Sequence, residues 1–421
     1  MKNHALTICI FMNISASAYA YNNEHLNNVI AASKDTKLPR IFTGYDLSEA
    51  NLAGIDLSHA NLDKANFTRS SLIGSILKNT SINNTNFTEA KLDKAVFTLS
   101  TIKEATFIGA SAKETDFSNT TILDSKFKMI NIDGSSFSNS SMDNIDFSDL
   151  NIKNLIFTGT QAQGANFSRT TINNSSFDTA KLQNSTFNDS KINDVIFDKA
   201  VFSGSDFGHS VITMSTFYEA KINNTKFIKV LFEKTKLDNV DAKKSNFENA
   251  SFLNSSLRNG QFDNSNFSSS NFVNTGIDGG NNGTTYFENC NFTNAKISNS
   301  KTNGVDAKSA NFTGAKFVEV DFAGNFESAV FENADLSTSV RFMEYTGYGH
   351  INFKKANFKG ANLSNAKFHL YGASPDIFDG VSFLNADLSN AQMPFSSCKA
   401  MVEKGIDISG ATLPSRSFPC K

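Results

Sequence analysis

The sequence predicts a solenoid of five-residue units, not a pair of globular domains, and three observations carry that expectation. Large apolar residues recur at every fifth position. Of the 56 positions taken in steps of five from 47 to 322, all but Ala112, Ala162, Ala242, Asn282, Thr302 and Ala307 are Leu, Ile, Phe or Met. A helix repeats its buried face about every 3.6 residues and a strand every second residue, so neither element explains this beat. Two positions earlier stands a small residue, as at Ala60, Ala65, Ser70, Ser75, Thr80, Thr85 and Ala90, and the flanking positions favour Asn, Asp, Ser, Thr or Lys. The unit reads small, polar, large apolar, polar, variable. Finally, no proline occurs between Pro39 and Pro375, as a backbone that pairs along its whole length requires.

Units such as Ala60-Asn61-Leu62-Asp63-Lys64 and Ala65-Asn66-Phe67-Thr68-Arg69 resemble those of the pentapeptide-repeat family. The resemblance implies an all-β fold, a right-handed parallel quadrilateral β-helix with short capping helices at its ends. Each unit would form one side of a square coil, about four units and twenty residues to a turn, with the large and small residues inward and coils stacked about 4.8 Å apart. From position 87 to position 227 every tenth residue is Phe, and the positions between are mostly Ile or Leu. On that geometry Phe fills two opposite sides and aliphatics the other two, with rings one coil apart close enough to stack. These are core ladders and not a ligand-binding stripe.

The chain divides accordingly. Residues 1–20 read as a signal peptide: Lys2, a short apolar stretch from Ala5, and the small-x-small site Ala18-Tyr19-Ala20, with cleavage between Ala20 and Tyr21. That stretch is too short to cross a bilayer, which takes roughly 20 residues, and the mature chain is expected to hold no transmembrane segment. Residues 21–41 form an N-terminal cap, with Leu26, Val29 and Ile30 at helical spacing. Residues 42–325 are the main repeat, interrupted in phase by the glycine-rich stretch at 279–283, read as a looser corner. Residues 326–395 are a second repeat segment with irregular loops near 337–352 and 369–376, and 396–421 are a C-terminal cap and tail, the cap a short helix that ends at Gly405.

The two irregular segments are expected to be neighbours, because Ala373 lies one twenty-residue coil after Phe353. Loops carried on a rigid scaffold are a usual seat of binding, and Tyr and Arg are common anchors, so Arg341, Phe342, Tyr345, Tyr348, His350, His369 and Tyr371 form the candidate partner-binding patch. Cys290 occupies an inward small-residue position, and Cys398 and Cys420 are the candidate disulfide, a bond that suits an oxidising compartment. No residues group into a catalytic, cofactor-binding or metal-binding pattern. The Asn-x-Ser/Thr triplets, such as Asn66-Phe67-Thr68, follow from the repeat and say nothing of glycosylation.

Charge constrains the function. The net charge of 421 residues is −2 and only 19% are charged, so no strong field favours nucleic acid or an anionic membrane. Some members of the family that this chain resembles imitate duplex DNA to modulate gyrase in the cytoplasm. Such mimicry needs about one negative charge per 1.7 Å. The leading expectation is a non-enzymatic, exported scaffold or protein-binding rod of bacterial type, periplasmic or secreted, whose partner is another protein. The alternatives are a cytoplasmic topoisomerase modulator and a secreted effector.

Overall fold

A computed structural model describes residues 21–35, 37–280, 283–344, 350–370 and 375–414. The chain winds into a right-handed, all-parallel β-solenoid of square cross-section. Residue i pairs with i+20 over most of its length: Ile41 with Asn61, Asn61 with Ser81, and so on to Asp241 with Gln261. The longest strands, Thr171–Ser176 and Lys191–Ile196, pair in this register through five residues.

One unit shows why five residues suffice for a side. Phe177 points inward and its N–H donates to the Ile196 carbonyl of the next coil at 2.7 Å, while the Ala180 N–H returns to the Phe177 carbonyl at 3.0 Å and closes the corner. That turn places Thr179 at φ 57°, in the left-handed region. The same position is left-handed throughout, at Asn79, Asn84, Leu99 and Met129 among many others. The residue read from sequence as variable is therefore conformationally fixed; it varies only because its side chain faces solvent, and Asn and Gly recur there because they tolerate the backbone best.

The interior is filled as the ten-residue Phe alternation predicts. Phe87 and Phe107 stack at 4.9 Å and 12°, Phe97 and Phe117 at 4.8 Å and 14°, and across the axis Phe87 meets Phe97 edge-on at 6.0 Å. Most small inward residues that carry hydroxyls spend them on carbonyls: Ser100 Oγ donates to Leu77 O at 2.6 Å and Thr85 Oγ1 to Leu62 O at 2.8 Å, so these two buried polar groups are satisfied. Cys290 is buried among them and donates to the Phe262 carbonyl.

Helix α1, Asn23–Lys34, covers the first coil. Asn22 caps it by accepting from the N–H groups of Glu24 and His25, Val29 and Ala32 are buried, and His25 stacks on Tyr45 at 4.1 Å while accepting from the Asp46 N–H. Ile30, the third apolar residue at helical spacing, is only half-buried. At the other end helix α2, Cys398–Glu403, begins at the Ser397 cap and buries Cys398 and Met401.

Call the sides that begin at Ile41, Asp46, Asn51 and Asp56 the first to the fourth. Three departures change the register. Around 279–283 one coil gains a whole unit, so Gln261 pairs with Tyr286 and Asn266 with Asn291, and the rings stack as Phe262 on Phe287 and Phe267 on Phe292. The looser corner expected here is a fifth unit inserted into one coil. Between Phe322 and Phe326 the spacing drops by one residue at Gly324, whose φ of 132° and whose approach to the Val305 carbonyl leave no room for a Cβ. The residue is regained at a bulge beside Ser337, where Lys316 pairs with Asp335 but Val318 with Thr338.

The irregular loop expected at 337–352 is consequently narrower. Asp335–Thr338 and Arg341–Met343 are strands, and the chain leaves the coil only at Glu344. The twenty-residue relation of Ala373 to Phe353 also fails: the Phe353 N–H bonds Ile377 O and its ring stacks on Phe378, 25 residues on. The two irregular segments are neighbours all the same, because Arg341–Met343 pairs directly with Lys367–His369.

Candidate functional site

The loop at 279–283, the segments 344–351 and 370–376, and the stretch containing α2 all follow the fourth side and precede the first. The pairings Gly276–Lys301–Asp321–Arg341–Lys367–Gln392 trace the fourth side, and Tyr286–Asp306–Asn325–Asn352 the first. Among the described residues, every loop that lengthens a coil therefore leaves from the same edge of the rod. The outward residues of the fourth side are the ones these loops flank.

Arg341 lies on that side. Its Nε and Nη2 bond the two carboxylate oxygens of Asp321 at 2.5 and 2.7 Å, and its side chain stays half exposed while Asp321 is buried. Phe342 is no contact residue: it points into the core, fully buried, stacked on Phe368 at 4.4 Å. Strand alternation forces this, since Arg341 and Phe342 cannot face the same way.

His350 is exposed, and its Nδ1 meets the Glu344 carboxylate, whose other oxygen accepts the Ile351 N–H at 3.0 Å. Glu344, nearly buried, thus ties the two ends of the loop between them. His369 is half-buried, paired in register with Met343, and its carbonyl accepts from the Glu344 N–H. His350 meets this carboxylate, while Arg341 and His369 lie on the paired strands that lead to it. Tyr345, Tyr348 and Tyr371 lie outside the described residues, as do Ala20 and Cys420. Tyr21 packs against the first coil, and Cys398 is disulfide-bonded.

Sequence reasoning missed Glu344 and the concave surface beside Arg341. A cavity of about 460 Å³ is lined by Glu319, Ser339, Arg341, Asn365 and Lys367. A second, of about 280 Å³, is lined by residues that include Arg258, Asn274, Asp278, Asn299 and Lys301. Both lie at the corner between the third and fourth sides. Only the phase change from Leu336 to Phe342 could have pointed there, because it places an extra residue at that corner.

Electrostatics near the site are set by short local bonds. Burial pushes the Asp335 carboxyl up, but hydrogen bonds from Ser337 and the nearby Lys316 ammonium outweigh it and leave the group below its ordinary value. Burial pushes the Cys290 thiol far up, so it stays protonated. Among the described residues no group of three His, Cys, Asp or Glu could hold a metal ion, and no helix is long and apolar enough to cross a membrane.

Comparison with known proteins agrees with the architecture. The pentapeptide repeat region matches residues 130–207, and pentapeptide repeats (8 copies) match 41–79, 80–119, 286–324 and 349–369, together just over half of the chain. No curated protein sequence matches it. Among solved structures, a pentapeptide repeat protein from the Arabidopsis thaliana thylakoid lumen is 26% identical over 23% of this chain, with a TM-score of 0.18, and only 63% of that protein is covered. Full-length QnrB1, a plasmid-mediated fluoroquinolone resistance protein, is 15% identical over 65% of this chain and 91% of its own, with a TM-score of 0.21. HetL, from the cyanobacterium Nostoc and involved in heterocyst differentiation regulation, is 15% identical over 64% of this chain and 87% of its own, with a TM-score of 0.16. Repeat units, coil geometry and sequence matches converge, and the chain belongs to the pentapeptide-repeat family.

Proposed function

We propose that the chain is a non-enzymatic, exported protein-binding rod whose contact surface is the fourth side within residues 338–376. The observation that carries this reading is the gathering of Arg341, Lys367 and His369 on adjacent rungs of one side, beside the edge where the regular coil is left at Glu344 and Leu370. A scaffold otherwise regular in shape concentrates its irregular, exposed groups there, where a partner can be recognised. Ser339 in the larger cavity has no histidine beside it among the lining residues, which supports binding over acyl-transfer chemistry. The small-x-small site at Ala18-Tyr19-Ala20 and the bonded Cys398 both suit an oxidising compartment outside the cytoplasm.

Expression of the full chain in a Gram-negative bacterium, with fractionation and N-terminal sequencing, tests export. Recovery outside the cytoplasm with Tyr21 at the N-terminus is expected; a cytoplasmic protein that retains residues 1–20 would remove that part of the reading. Capture of proteins from the exported fraction then tests the surface: a variant lacking 345–349 should lose the partner that wild type retains.

A further inference from the structure

We infer that the corner between the third and fourth sides is a groove for an extended acidic polypeptide segment, gripped chiefly by Lys301 and Lys367. This rests on the protein-binding reading above and specifies what part of a partner the rod would hold.

The two cavities are parts of one path. Asn274, Asn299, Glu319, Ser339 and Asn365 occupy the same corner in successive coils, so the smaller cavity leads into the larger along the rod axis. An extended chain running parallel to the axis fits such a path. A compact ligand would use only one end of it.

The charges on its walls are arranged unusually. Among the described register pairs, the two that set like charges against each other are Lys296 with Lys316, on the third side, and Arg341 with Lys367, on the fourth and lining the larger cavity. Like charges on directly paired positions destabilise a sheet, whereas at other places on the rod a charge meets its opposite one coil away, as in Arg69 with Glu49 and Arg169 with Asp149. Here Arg341 is answered by Asp321, Arg258 by Asp278 and Lys316 by Asp335. Lys301 lies in register with Asp321, whose carboxylate Arg341 already holds, and neither Lys301 nor Lys367 has an ion-pair partner among the described residues. These two ammonium groups, three coils apart along the path, ask for carboxylates from outside.

Glu319 and Asp278 decide between kinds of polyanion. A polysaccharide with a carboxylate on every sugar would force like charges against them. A peptide can place acidic side chains at the two lysines and backbone N–H groups at the two acids, and rejection of the wrong partner follows from that repulsion.

Fluorescence anisotropy with a labelled synthetic peptide of alternating Asp and Ser tests the groove on the full-length protein. Wild type should bind it, more weakly as salt rises, and Lys301→Glu and Lys367→Glu should each weaken binding about tenfold. Both side chains are exposed, so unchanged thermal unfolding is expected to accompany the loss. No binding by wild type, binding by both variants as tight as that of wild type, or stronger competition by polygalacturonate than by unlabelled peptide would overturn the proposal. Partner capture separates it from the broader reading. If wild type and Lys367→Glu capture an exported protein equally well, the groove fails and the rod stands; if wild type captures none, the rod reading itself fails.

Discussion

Arg341 reaches back one coil to Asp321 and holds both of its carboxylate oxygens, at 2.5 and 2.7 Å, over a position that is 6% exposed. Two-point bonding of this kind is among the stronger charge-assisted contacts. It ties the coil before the bulge to the coil after it, where the register has just slipped by one residue and been restored.

Removal of the cation should therefore cost stability through the acid left behind. Arg341→Ala is expected to destabilise the fold by about 1 to 3 kcal/mol, less than for a wholly buried pair because water reaches half of the arginine. Adding Asp321→Asn should recover part of the loss, and urea unfolding of the two single variants and the double variant measures the coupling.

Core and surface positions of one unit should differ sharply. Phe187 is fully buried, stacked on Phe167 at 4.8 Å and Phe207 at 4.6 Å, so Phe187→Ala should cost about 3 to 5 kcal/mol. Lys181→Asp, on an exposed position six residues earlier, should stay within about 0.5 kcal/mol. Since each coil leans on its neighbours, limited proteolysis should also show cleavage near 187 in the first variant.

The left-handed corners offer stabilising changes. Leu99 and Met129 sit at φ 62° and 58° with their apolar side chains 60% and 80% exposed. Glycine adopts that backbone without a Cβ clash, so Leu99→Gly and Met129→Gly should each raise stability by about 0.5 to 1 kcal/mol after the entropy of glycine is counted. The two sites lie on different coils, and thermal unfolding of the double variant should show the effects adding.

Acid should weaken the rod. Burial tends to raise Asp335, Asp56 and Asp63, but hydrogen bonds from Ser337, Ser58 and Asn83 respectively prevail, and all three carboxyls titrate below their ordinary value. A group whose folded pKa is depressed contributes stability that is present above its unfolded pKa, about 4, and is lost as pH falls through the folded value. Unfolding midpoints in urea should hold from about pH 6 to 5 and decline towards about pH 3. Asp335→Asn, which keeps the shape and removes the titration, should make that decline shallower.

Side chains record which residues face inward, and the inward set was legible from the chain alone: the apolar beat, the small residue two positions before it, and the Phe alternation each correspond to a buried ladder. The five-residue period arises because every unit must close the same corner and fill the same width of core, a local demand that every unit repeats. What stacks on what is a different quantity, counted around the whole coil. An insertion of five residues at 279–283 leaves the beat intact and yet turns the later ladders by one side, so Phe287 rests on Phe262 and not on Phe267. The local pattern marked the glycine-rich stretch but not the turn of the ladders. The same blindness put Ala373 above Phe353, where the longer coil brings Phe378. It also left Arg341 and Phe342 together as contacts, although one faces solvent and the other the core. The sequence alone determined the fold, its inward residues and the stretch where regularity breaks. Only the tertiary structure decided that the breaks share one edge and that two unanswered lysines flank one corner, because those are relations between coils, fixed by backbone pairing across twenty or more residues.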